Sequence, residues 1–115
     1  MRKQIDQNFE MHSGDSKDII VSVLDELDQV VPITGATAVF ILSNNPYSAA
    51  IITKSSGSGI VITDGPGGIL TVTLDATDTE GLAGSFYYEI ELTDALLKVS
   101  TIVLGQINIR ADVVL

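Results

Sequence analysis

The alternation of apolar and polar positions is sharpest from Ser85 to Thr93. There Phe86, Tyr88, Ile90 and Leu92 alternate with Tyr87, Glu89 and Glu91. A period of two puts successive side chains on opposite faces of an extended chain, so the segment predicts a half-buried antiparallel strand. Apolar, β-branched runs predict further strands at Asp18 to Leu24, Ala36 to Ser43, Ala49 to Lys54, Ile60 to Thr63, Ile69 to Leu74 and Val99 to Ile109. Lys3 to Met11 reads as a first strand or an arm. Polar and glycine-bearing turns separate these runs: His12-Ser13-Gly14-Asp15, Asp25 to Gln29, and the hairpin connection Asp64-Gly65-Pro66-Gly67-Gly68. Val30 to Ile33 includes Pro32, which has no N–H for a ladder and belongs at an edge. Gly105 marks an expected bulge in the last strand. Asp75 to Gly81 predicts one helical turn, with Asp75 as N-cap and Gly81 as stop.

About seven short strands, with no internal repeat, linker or low-complexity tract, predict a single domain over residues 1–115. The expected fold is all-β: an immunoglobulin-like antiparallel β-sandwich, with residues 1–8 as a possible N-terminal arm and 111–115 as a C-terminal tail.

Two strands carry apolar residues on both faces. Ala36, Ala38, Phe40 and Leu42 point one way, while Val39 and Ile41 point the other. In the last strand Ile102 and Leu104 alternate with Val99, Val103 and, past the glycine, Ile107 and Ile109. An antiparallel sheet with one wet face carries polar residues there. Either an extra strand, a loop or the N-terminal arm covers these faces, or a protein partner does. The tail Ala111-Asp112-Val113-Val114-Leu115 is β-prone and suited to adding a strand to a neighbour's sheet edge. The interface candidates are therefore Val39, Ile41, Val99, Val103, Val113, Val114 and Leu115.

Charge and chemistry narrow the function further. Fifteen acidic residues against six basic ones give a net charge of -9, which repels phosphate and disfavours nucleic acid or an anionic membrane as partner. The chain has no cysteine, which removes disulfides, thiol chemistry and cysteine-based zinc sites. Its apolar runs are too short for a bilayer-spanning helix, and Met1 to Asp6 lacks the apolar run of a signal peptide, so synthesis in a cytoplasm is expected. His12 is the single histidine, with no serine or acid around it in catalytic order. Glu89 and Glu91 stand two apart on an exposed strand face, where they keep that face soluble. Asp75, Asp78 and Glu80, with Asp64, offer oxygens of the kind calcium takes, but their spacing departs from an EF-hand loop and helix capping accounts for them. Gly65-Pro66-Gly67-Gly68 lacks the Lys-Ser/Thr and the helix of a phosphate cradle. The expectation is a non-enzymatic chain with no catalytic residue, metal or cofactor.

Several segments in order carry a resemblance. They are Gly14-Asp15 before the Ile19-Ile20-Val21 strand, the block Pro32 to Phe40, Ile62-Thr63-Asp64 with Gly68, Leu74 to Thr79 leading to Leu82-Ala83-Gly84, Phe86 to Leu92, and Thr101 to Ile109 with Gly105. Together they resemble the amino-terminal immunoglobulin-like domain of the bacteriophage baseplate upper protein and related small tail and structural proteins. The turn Asp94-Ala95-Leu96-Leu97-Lys98 departs from that pattern, lacking an Asp-Gly turn. The resemblance implies a virion structural protein: an anchoring, adaptor or decoration subunit of tail, baseplate or capsid. It implies other virion proteins and further copies of the chain as partners. An alternative is a carbohydrate- or receptor-binding module using Tyr47 beside Pro46, with Tyr87 and Tyr88.

Overall fold

The computed structural model describes residues 5–111. Among them the elements are β1 (Ile5–Asp6), β2 (Phe9–His12), β3 (Lys17–Ser22), β4 (Thr37–Ser43), β5 (Ala50–Ser56), β6 (Gly59–Asp64), β7 (Ile69–Leu74), the one-turn helix α1 (Ala76–Thr79), β8 (Gly84–Thr93) and β9 (Val99–Arg110). The fold is all-β, as the alternation predicts. In β8, Phe86, Tyr88, Ile90 and Leu92 are buried, while Tyr87 and Glu89 are half-buried and Glu91 is exposed. In β7, Leu70, Val72 and Leu74 are fully buried on one face, and Ile69, Thr71 and Thr73 are half-buried on the other.

The strand order is β1-β9-β8-β4-β5-β6-β7-β3, with β2 also on β9. The neighbour orders β3-β7-β6 and β9-β8-β4-β5 are those of strands B-E-D and G-F-C-C′ in an immunoglobulin-type topology. Two features depart from an antiparallel sandwich of about seven strands. The nine described strands form one mixed sheet, because β5 continues into β6 through a short parallel ladder at Ser55 and Ser56. The amino-terminal segment also pairs parallel to β9, Ile5 and Asp6 opposite Val103 and Leu104, then Phe9 to His12 opposite Ile107 to Arg110. It lies beside β9 as an added edge and does not fold across a sheet face. Val30 to Ile33 forms no strand; a single antiparallel bridge joins Leu24 to Val30.

Inward side chains from both ends of the sheet meet in one core. Phe40, Leu42, Ile90, Leu92, Ile107 and Tyr88 from one group of strands join Val21, Ile60, Leu70 and Val72 from the other. Each such large apolar chain contributes about 1.5–3 kcal/mol by leaving water. The Tyr88 ring packs edge-on against Phe9 at 5.4 Å between centroids, and its hydroxyl donates to the Gln7 carbonyl at 2.7 Å. This ties the amino-terminal segment to the core.

The expected bulge is displaced. Register runs without a break through Gly105, which pairs with Tyr88. The shift falls earlier, where Ile90 pairs with Val103 and Glu91 with Thr101, leaving Ile102 as the extra residue. An extra residue reverses the alternation beyond it. Ile102 and Val103 are therefore both buried, and Ile107 and Ile109 follow Val103 inward. The two-faced pattern of this strand records a change of face. Gly105 serves another purpose, because a Cβ there would run into the Gln7 carbonyl and the Asn8 side chain. Its missing side chain admits the amino-terminal segment.

Candidate interaction surface

The outer face of β4 is built in short rows. Val39 sits between Ser55 of β5 and Glu91 of β8, and Ile41 between Thr53 and Glu89. Glu89 in turn pairs with Leu104 of β9. The result is a sheet face in which each apolar side chain of β4 has a glutamate on the next strand. Val39 is 38% exposed and Ile41 half-buried, so no described segment seals this face. Tyr87 lies on the same side, opposite Gln106, and donates its hydroxyl to Glu89 at 2.7 Å. Burial, reinforced by that hydrogen bond and the glutamate charge, pushes the Tyr87 hydroxyl up to about 12.

The interface candidates fall into three groups. Val39, Ile41 and Val99 stand on or near the surface, with Val99 exposed at the start of β9. Val103 does not: at 2% exposure it belongs to the core, because the bulge at Ile102 turns it inward. Val113, Val114 and Leu115 lie outside the described residues.

Sequence reasoning missed a second concentration of apolar surface. Leu27 and Val30 in the β3–β4 connection, and Leu96 and Leu97 in the β8–β9 connection that leads into Val99, are all exposed. Short turn sequences carry no periodicity, so hydrophobic patterning passes over them. The signal that was available was an unneeded leucine in each of two turns beginning with aspartate.

Two of the acidic groups singled out from the sequence, Asp78 and Asp64, serve local structure. Asp78 forms an ion pair with Lys54 at 2.8 Å and accepts from the Asp75 backbone N–H. Burial opposes its charge, but Lys54 and that N–H outweigh it and hold its carboxyl below the ordinary range. Asp64 accepts from the Gly67 N–H within its hairpin turn. Among the described residues, no group of three or more His, Asp or Glu side chains could hold a metal ion, and no helix is long and apolar enough to cross a membrane. His12 is exposed at the end of β2, opposite Arg110. Tyr47 is almost fully exposed in the β4–β5 connection, while Tyr88 is buried and removed from any surface role.

No protein-family model matches the chain, and no curated protein matches it.

Proposed function

We propose that the chain is a non-catalytic assembly module, a virion structural subunit of the anchoring, adaptor or decoration type, that works by protein–protein contact with neighbouring subunits and further copies of itself. The observation that carries the contact reading is the outer face of β4, where Val39 and Ile41 hold apolar surface open on a well-formed sheet. The assignment to a virion rests on the resemblance in order and spacing described above. Closed symmetric assembly would bury this face against its own copy or a neighbour's.

The test is solution mass by light scattering across a dilution series, with Ile41→Lys beside the parent chain. Reversible association of the parent, lost in Ile41→Lys with the circular dichroism unchanged, is the expected result. A parent that stays monomeric at every concentration removes the homotypic part of the reading. A second reading, a glycan-binding module, is favoured only by the exposed Tyr47 beside Pro46. It requires a glycan-array signal that Tyr47→Ala abolishes while the mass stays the same.

A further inference from the structure

The turns Asp25-Glu26-Leu27-Asp28-Gln29 and Asp94-Ala95-Leu96-Leu97-Lys98 are two copies of one device. In each, a single carboxylate oxygen of the leading aspartate accepts from the N–H groups two and four residues on: Leu27 and Gln29 at 2.8 and 3.0 Å, Leu96 and Lys98 both at 2.9 Å. In each, the aspartate N–H donates to the fifth carbonyl, and the fourth N–H returns to the aspartate carbonyl. The fourth residue has positive φ, 60° at Asp28 and 65° at Leu97; among the described residues these are the two non-glycine positions with that conformation. The third residue in both is leucine, and both Leu27 and Leu96 are 78% exposed. The turn geometry depends on the aspartate and the backbone, so it does not require a leucine at the third position.

The two turns belong to the same end of the molecule. Thr37, at the start of β4, pairs with Thr93 at the end of β8, and a Cβ on Gly35 would touch Ala95 at 3.4 Å. The β6–β7 turn joins them there: the Ile33 N–H donates to the Gly65 carbonyl at 2.8 Å, and Gly68 packs beneath Val30 and Val31. Around the exposed Leu27, Val30, Leu96, Leu97 and Val99 this end carries Asp25, Glu26, Asp28, Asp64 and Asp94 against Lys98. Apolar anchors carried on hydrogen-bonded turns within an acidic border fit a protein surface of opposite charge, because anchors supply affinity and border charges select and steer. A second copy of this end would bring like charges together, and anionic lipid would meet the same repulsion.

We propose that this end docks a cationic partner protein, with Leu27 and Leu96 as paired anchors entering an apolar surface bordered by lysine or arginine. The proposal rests on the assembly reading above and names a surface and partner chemistry for it.

The test uses the full chain and, as probe, a short leucine–lysine peptide that forms an amphipathic cationic helix, with binding followed by calorimetry. The parent chain binds, the Leu27→Ser/Leu96→Ser double variant loses at least about tenfold in affinity, and Val61→Ser, an exposed apolar change on β6, leaves binding as it was. Raising salt from roughly 0.05 to 0.5 M weakens the parent's binding. Failure of the peptide to bind overturns the proposal, as does equal affinity for the double variant or for polylysine, which has charge without apolar anchors. Leucine-dependent binding to neutral lipid vesicles with none to the peptide also overturns it, in favour of a membrane. If the double variant changes nothing while Ile41→Lys abolishes association, the docking proposal falls and the assembly reading stands. If neither variant has an effect, the docking proposal and the homotypic part of the assembly reading both fall.

Discussion

Ile90 and Val39 illustrate how differently two β-branched residues act on neighbouring strands. Ile90 is fully enclosed, whereas Val39 keeps contact with water and sits beside Glu91. Ile90→Ala leaves a cavity among close-packed neighbours and is expected to cost about 2–5 kcal/mol. Val39→Ser is expected to stay within about 0.5 kcal/mol of the parent in the isolated chain. Urea unfolding of both variants checks this, and a large loss for Val39→Ser would mean that its face is already covered. Gly105→Ala makes a separate residue-scale prediction. The added methyl meets the Gln7 carbonyl, so the variant should lose amide protection over residues 7–12 before the rest of the sheet does. Hydrogen exchange measures it, and uniform loss across all strands would argue against a local role.

At the scale of elements, two side-chain links respond to pH in opposite directions. Lys54 on β5 holds Asp78 on α1, and the depressed carboxyl means that the folded chain binds fewer protons than the unfolded chain near the ordinary value of 3.8. Stability from this link is present above that range and is lost as pH falls through it. Unfolding midpoints at about pH 6 and about pH 3 should therefore differ less in Lys54→Met than in the parent. On β8, burial pushes both Tyr87 and Tyr88 up to about 12, with Glu89 adding to the effect at Tyr87. Between the ordinary value of 10.0 and about 12 the unfolded chain releases these protons while the folded chain keeps them, so stability declines as pH rises through that window. Tyr87→Phe should make that alkaline decline shallower.

For the whole molecule, net charge gives the two proposed contacts opposite salt dependences. Copies of a chain carrying -9 repel one another, so association through the β4 face should strengthen as salt screens that repulsion. Docking of a cationic partner at the acidic loop end should weaken under the same change. Light scattering and calorimetry over one salt series separate them. If both interactions moved the same way with salt, the two surfaces could not be acting as assigned.

The sequence alone determined the all-β fold and the positions of most strands, because a period of two and turn residues are local properties of the chain. It also placed Val39 and Ile41 on the face of β4 opposite Phe40 and Leu42, since nothing interrupts the alternation there, while the tertiary structure decided that no described segment seals that face. The inward turn of Val103 and the role of Gly105 were decided only by tertiary structure. A bulge is chosen by how two strands fit each other, and the need for a bare Cα at Gly105 arises only once Gln7 lies against it. The placement of the Leu27 and Leu96 turns at one end is likewise tertiary. The two turns are far apart along the chain and share one end of the molecule because β4 pairs with β8 and the β6–β7 turn closes against the segment leading into β4. Such long-range pairing leaves no periodic signal in either turn.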